Sequence, residues 1–482
     1  MNVWFWVFIT YLTLNFLVMV SMIFVERRKL TSVISWLTVV SLLPGLGFVI
    51  YLIFGSGLSI RVRRLISKFE LSEVQYDKEL KEYFSSEENN KTLRMEDAEI
   101  IKLCHNFGSI LCPANDVKIF TNGEEKVEAL LADIENAQKS INIEYYIFAD
   151  DKVGKRVMDA LIKKAKEGVE VRLIFDSIGC LGAPRRFFRK LKKAGGKVGE
   201  FFPPFMGIRM LNLKMNYRNH RKIVVIDGCI AYTGGINIRE DHMGHKKRLS
   251  PWRDTHIRVT GSGASALQNV FLNDWRYVKK EKVSSDTYIE KGFFPEPKRE
   301  GDVCLQVLTS GPNEKTKDIK EAYLKLIMNA KSEIVIQTPY FVPDDALMEA
   351  LRIALMSGVK VKIMVPKKAD HITVYLVTLS YLKDIVNFGA DVYIYNGFLH
   401  SKTLMIDDNK TSIGTCNFDN RSFGLNFEDT VLMYSESISE EYKKCFAKDI
   451  ENSVYADVKF FKRKKWLTKF LQSIFRLFSP IF

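Results

Sequence analysis

Cysteine is scarce in this 482-residue chain: seven residues, scattered, with no CxxC pair. The number is odd, so neither a disulfide framework nor a zinc site is implied. Several lie in apolar runs, where cysteine behaves as a small buried hydrophobe. Acidic residues are too few to balance the basic ones, 57 against 71, and the net charge is +14. No carboxylate cluster suited to magnesium is evident, so no metal is expected. The basic excess favours anionic partners: nucleic acid, anionic lipid or a phosphorylated substrate. Charge is missing altogether from residues 3–25. At about 1.5 Å per residue, that run is long enough for a bilayer core. A cleavable signal would start basic, have a shorter apolar core and end in small residues. Here the basic cluster Arg27, Arg28 and Lys29 follows the run, which favours a retained helix.

The organisation of the chain follows from where charge returns. A second uncharged run reaches residue 60, broken by Pro44-Gly45-Leu46-Gly47, and the two runs predict a helical hairpin over 1–60. Residues 61–115 read as a juxtamembrane connector, with helical spacing at Phe69, Leu71, Tyr76, Leu80 and Tyr83. Residues 116–295 form a first half, with helices expected at 127–137, 154–167 and 185–193 and strands at 140–148 and 169–175. Residues 296–457 repeat this grammar, with strands at 332–340 and 359–365 around a helix at 344–356. Such alternation predicts parallel pairing and an α/β fold. The first half has an apolar insertion, Phe201-Phe202-Pro203-Pro204-Phe205-Met206, which suits a lipid-facing loop or a packing loop equally. The tail, 458–482, is basic, with Leu467, Phe470, Leu471, Ile474, Leu477 and Phe478 at helical spacing. It reads as an interfacial amphipathic helix, the alternative being a helix docked on the protein.

One pattern occurs twice. His220, Lys222 and Asp227 recur as His400, Lys402 and Asp407, an offset of 180 residues. The offset persists downstream, where Gly234 matches Gly414 and Asn237 matches Asn417. The apolar residues between each lysine and aspartate read as a buried strand. Residues i and i+2 of a strand share a face, so each histidine points with its lysine. A titratable imidazole, a fixed cation and an amide donor make half of an anion site, and two halves leave room for one phosphate. The aspartates fall at odd spacing from the lysines and face away, which suits a strand-end architectural role. His242 and His245 sit three apart in a basic loop and read as solvated rather than metal-binding.

The doubled pattern resembles the HxKxxxxD motifs of the phospholipase D superfamily over roughly residues 125–450. The run Ser35-Trp36 to Phe54-Gly55 and the short apolar tail narrow the resemblance to the bacterial cardiolipin synthase family. The resemblance implies two phospholipase D-like α/β halves related by a pseudo-twofold, sharing one active site behind a transmembrane hairpin. It implies phosphatidyl transfer between two phosphatidylglycerol molecules through a phosphohistidine, with glycerol released. Hydrolytic phospholipase D is the near alternative, a nuclease the next, and a non-enzymatic lipid-binding scaffold the last. The implied catalytic set is His220, Lys222, Asp227, His400, Lys402 and Asp407, supported by Asn237, Asn417, Glu428 and Asp254. By analogy Glu428 orients His400, Asp254 orients His220, and His220 is the nucleophile. Thr415 stands where the family usually has serine. No cofactor, metal or nucleic acid is expected; the partners are phosphatidylglycerol and anionic membrane lipids. A cell-membrane location with two spans is expected, and a cytoplasmic catalytic body is favoured by the basic residues Arg61, Arg63, Arg64 and Lys68 after the second span.

Overall fold

A computed structural model describes residues 3–25, 30–54, 93–203, 217–244, 249–281, 285–298, 301–314, 316–463 and 466–479. The connector helix expected near residues 69–84, both basic flanks of the hairpin, half of the apolar insertion (204–206) and His245 lie outside these residues. One 15-stranded sheet carries both halves. Its centre is an antiparallel pair, Leu111–Phe120 against Val303–Ser310. Outward from Leu111–Phe120 come His256–Thr260, Ile230–Gly234, Lys222–Ile226, Ser140–Tyr145, Glu170–Asp176 and Lys197–Phe201. Outward from Val303–Ser310 come Glu428–Tyr434, Lys410–Gly414, Thr403–Ile406, Glu333–Gln337, Lys360–Pro366 and Asp391–Tyr395. The two series correspond place for place, and Ser453–Tyr455 adds a strand at one edge. The repeat is therefore a pseudo-twofold about the central pair.

Parallel pairing holds for the outer strands of each half. Nearer the centre the strands are antiparallel, which corrects the expectation of a parallel sheet. The cause is local. Three residues separate Lys222–Ile226 from Ile230–Gly234, and three separate Thr403–Ile406 from Lys410–Gly414. Such links make hairpins; a parallel crossover needs a dozen or more residues. Asp227 and Asp407 open these turns with φ of +52° and +55°, a left-handed conformation that aspartate tolerates. Asp227 accepts the backbone N–H of Gln138 at 2.8 Å, Lys139 at 2.7 Å and Ser140 at 2.8 Å. Asp407 accepts those of Lys331 at 3.1 Å, Ser332 at 2.7 Å and Glu333 at 3.1 Å. Each motif aspartate thus pins its hairpin to the start of the neighbouring strand.

Helices cover the sheet and close the core. Asp151 caps Lys152–Lys166 by accepting the Gly154 N–H at 2.9 Å, and lysines crowd its last turn, where the helix dipole favours them. Ser435 caps Glu436–Glu451 in the same way. Phe201 and Phe202 are buried and pack against Phe427 and Tyr277, so this described part of the insertion is packing.

At the amino terminus, helix Val3–Val25 carries no charged residue. The second uncharged run, expected as one segment, is two helices, Leu30–Leu42 and Leu46–Phe54. Pro44 supplies no N–H and Gly45 takes φ +76°, which ends the first of them. The rings of Trp36 and Tyr51 lie 5.5 Å apart. A straight helix would hold those residues about 22 Å apart, so the run folds back on itself. Among the described residues no helix is long and apolar enough to cross a membrane. The tail helix Trp466–Arg476 docks on Ile372–Val386, with Arg476 bonded to Asp384 at 2.5 Å and lying over the Tyr381 ring at 4.4 Å. Its other face leaves Trp466, Leu467 and Phe470 exposed.

Candidate active site

Each motif histidine sits on the residue where an extended stretch enters its buried strand. Before the first, Asn219 bridges Phe427 in parallel. Before the second, Phe398–Leu399 pairs in parallel with Trp252–Arg253. These pairings cross between halves. His220 N–H donates to the Phe427 carbonyl at 2.9 Å, and His400 N–H donates to the Arg253 carbonyl at 2.7 Å. The next residues along the partner strands are Glu428 and Asp254. Glu428 Oε2 therefore lies 2.9 Å from His220 Nδ1, and Asp254 Oδ2 lies 2.7 Å from His400 Nδ1. The pairing expected within each half is corrected: every histidine meets the acid of the opposite half. The unequal spacings, 28 residues from His400 to Glu428 and 34 from His220 to Asp254, were comparisons of the wrong partners.

The matched glycines let this happen. A Cβ on Gly234 would lie 2.5 Å from the His256 Cα, and one on Gly414 would lie 2.5 Å from the Thr430 Cα. The hairpin strands can then approach the acid-bearing segments closely. Gly235 backs the acid directly, since a Cβ there would lie 1.9 Å from Asp254 Oδ1. Thr415 keeps the hydroxyl of the usual serine: its Oγ1 accepts the Asp429 N–H at 2.9 Å, and its carbonyl sits 3.1 Å from His220 Nδ1.

With Nδ1 of each histidine engaged by an acid, Nε2 remains for chemistry. His220 and His400 line one cavity of about 850 Å³, together with Asn237 and Asn417. Tyr146 lies edge-on to His220 at 4.9 Å, and Phe398 lies beside His400 at 5.8 Å. Lys222 and Lys402 are buried next to them, and each donates its ammonium to the carbonyl of its own histidine. Burial pushes Lys222 down to about 8 and Lys402 to about 7, against the pull of Asp254 and Glu428. Burial likewise holds both histidines below the usual imidazole value. Asp254 is held well below the usual carboxylate range by His400, His242 and Lys402, which outweigh its burial. Asn237 Oδ1 accepts the Ile147 N–H at 3.2 Å, while its Nδ2 faces His242 Nε2 at 3.2 Å. Of the residues expected at the site, Lys222, Lys402, Glu428, Asp254, Asp227 and Asp407 are not among those lining the cavity; the first four lie behind the histidines.

His242 is the residue that sequence reasoning misplaced. It is buried and not solvated. Its Nδ1 lies 3.7 Å from Asp254 Oδ2, and its ring lies 4.1 Å from Trp252 and 5.3 Å from His400. His242, Asp254 and His400 place their ligand atoms within 4.8 Å of one another, a spacing that a metal ion could bridge. The signal available in sequence was slight: a histidine five residues after Asn237, itself inside the repeat.

Residues 130–275 and 323–450 match the family described as cardiolipin synthase, PLD-like domain, and residues 13–56 match the phospholipase D-nuclease N-terminal family. The chain is 40% identical over 476 residues to the major cardiolipin synthase of Bacillus subtilis, covering 97% of each chain. It is 41% identical to a cardiolipin synthase of Oceanobacillus iheyensis over the same share, and 38% identical over 490 residues to one from Staphylococcus aureus. Among solved structures it is similar in fold to phosphatidylserine synthase of Haemophilus influenzae, with a TM-score of 0.60 at 14% identity, over 80% of this chain and 98% of that one.

Proposed function

This chain belongs to the cardiolipin synthase family of phospholipase D-like enzymes, and from that premise we propose how it works. The enzyme is a phosphatidyltransferase that joins two phosphatidylglycerol molecules into cardiolipin and releases glycerol. The observation that supports the mechanism best is the pair of histidines, each oriented by an acid of the opposite half, lining one cavity.

Nε2 of one histidine attacks the phosphorus of the first lipid, and the bond from phosphorus to the glycerol oxygen breaks. The other histidine donates its proton to that oxygen, and glycerol leaves. The hydroxyl of the second lipid then gives its proton to the same histidine as its oxygen attacks phosphorus. The phosphorus–nitrogen bond breaks, and the first histidine is restored. Histidine suits both roles because its charge changes near neutrality, and the covalent route divides one hard displacement into two. Lys222, Lys402, Asn237 and Asn417 stabilise the phosphoryl oxygens. His242, Asp254 and His400 are the residues that would hold a metal, and the steps written above ask for none from them.

Product analysis by mass spectrometry of labelled phosphatidylglycerol in detergent micelles tests the reading. Cardiolipin plus glycerol is expected; phosphatidic acid alone would assign the protein to the hydrolases.

The lysines add an alkaline limb above that of the histidine acid, which burial holds below the usual imidazole value. An ammonium pushed down to about 7 or 8 loses its charge as pH rises through that value and no longer attracts phosphate. We expect kcat/KM to fall between about pH 7 and 9, and Lys402→Arg to move that limb upward, because a guanidinium stays charged. A flat profile across this range would count against phosphate binding by the lysines.

The amino-terminal helices belong in the membrane on this reading. Helix Val3–Val25 exposes Trp4, Trp6, Phe8, Phe16 and Leu17, far more apolar surface than a soluble monomer carries. The exposed Trp466, Leu467 and Phe470 suit an interface, and Leu477 joins the two regions by accepting the Ser35 hydroxyl at its carbonyl, 3.3 Å away. The second run, folded back at Pro44-Gly45, suits a re-entrant segment, which would put the 26–30 turn and the catalytic body on one, cytoplasmic side. Engineered single cysteines in 26–30 and in 61–70 should then both resist an impermeant reagent in intact cells. Labelling of 26–30 with protection of 61–70 would restore a second span, and labelling of 61–70 would overturn the sidedness.

A further inference from the structure

The two halves are matched in catalytic residues but not around the cavity. By the 180-residue offset, Arg218 corresponds to Phe398, and Arg421 corresponds to Asp241. By the same offset Asp419 corresponds to Arg239, so one side of the cavity carries two guanidinium groups and a carboxylate, and the other one guanidinium, a carboxylate and an aromatic ring. All of these residues line the same space as His220 and His400. The backbone places the two arginines together. Phe427 N–H donates to the Arg218 carbonyl at 2.8 Å, and Leu425 N–H donates to the Arg421 carbonyl at 2.8 Å. Both charges act on the phenol of Tyr146, the ring that lies 4.9 Å from His220.

Their acidic neighbours bind backbone as well. Asp176, 3.4 Å from Arg218, also accepts the N–H groups of Ile178 and Gly179 at 2.9 Å and of Asn219 at 3.0 Å. Asp419 caps the helix Asn420–Gly424 by accepting the Ser422 N–H at 2.7 Å. Burial holds Arg421 below its ordinary value, so a neighbouring anion would relieve an existing cost. On the opposite side Arg239 pairs with Asp241 at 3.1 Å, and His400 is ringed by Phe398, Trp252 and His242.

The reaction proposed above has a requirement that hydrolysis and transfer to a simple alcohol lack. Its second substrate brings a phosphodiester of its own, three carbons from the hydroxyl that attacks. While that hydroxyl is in line with the phosphorus, the second anion is carried into the same cavity. A desolvated phosphate monoanion needs charge-assisted donors, and arginine provides them in the right planar geometry. We propose that Arg421 and Arg218 form a subsite for the phosphodiester of the acceptor lipid, separate from the lysine pair that serves the transferred phosphoryl group. The subsite rests on the synthase reading and makes the acceptor's own phosphate the feature by which the enzyme tells it from other alcohols.

The test is a competition in one micelle preparation of the full chain. Labelled phosphatidylglycerol is the donor; equal mole fractions of phosphatidylglycerol and monoacylglycerol compete as acceptors. Both acceptors offer a primary hydroxyl on a lipid glycerol, and one lacks the phosphate. The measured quantity is the ratio of cardiolipin to phosphatidyl-monoacylglycerol, in which folding yield and the donor step cancel. Arg421→Gln should lower this ratio at least about tenfold, the scale of one charge-assisted contact. Arg421→Lys should recover part of it, and Arg218→Lys should lower it less. An unchanged ratio in Arg421→Gln would overturn the subsite, as would loss of both products together. Wild-type enzyme that makes phosphatidyl-monoacylglycerol or phosphatidic acid but no cardiolipin would instead remove the synthase reading, and the subsite with it.

Discussion

Replacing His220 or His400 with alanine is expected to lower kcat by about 10⁴-fold or more, the scale at which loss of a nucleophile or its proton partner is felt. The two losses should be similar, because in the proposed mechanism one histidine holds the phosphatidyl group and the other moves the proton, and neither step would proceed with its histidine missing. The double variant should be scarcely worse than either single one, since residues that act as a unit are not additive. Cardiolipin formation at wild-type rate by either purified variant would sink the single-site mechanism. Quenched turnover should leave the phosphatidyl group on a histidine; an adduct on serine or cysteine would rule the covalent step out.

The second large effect concerns the acids. Glu428→Gln and Asp254→Asn preserve shape but give the histidine a donor where it had an acceptor, and so favour the wrong tautomer. A loss in kcat of up to about 10⁴-fold is expected for each, with little change in KM, as for the comparable change in a hydrolase triad. The crossing of partners gives a sharper test that does not depend on residual activity. In double-mutant cycles on thermal stability, His220→Ala should couple to Glu428→Gln and not to Asp254→Asn. His400→Ala should couple to Asp254→Asn and not to Glu428→Gln. Coupling within halves would contradict the pairing seen at 2.9 and 2.7 Å.

Much of this protein was legible in its sequence, because strand chemistry is local. The two-residue period turned each aspartate away from the histidine, and Asp227 and Asp407 do bind backbone at the strand ends. The helix written at 185–193 appears as Arg185–Lys193, and the doubled motif announced the pseudo-twofold that the strand order displays. What could not be read was whatever depends on which segments meet across the molecule. Periodicity shows that a strand is buried but not which neighbour it pairs with, so the antiparallel centre had to come from the hairpin turns. The acid partners cross because the stretches before the two motifs pair with segments of the opposite halves, a contact spanning more than 140 residues. His242 looked like a loop histidine until Trp252 and Asp254 were seen to close over it. Arg218 and Arg421 are 203 positions apart, and nothing in either neighbourhood marks them as companions. By itself the sequence marked the candidate reacting groups and the twofold plan. Tertiary structure alone decided the partners and the asymmetry of the cavity, because those rest on side chains brought together only when the halves close around one sheet.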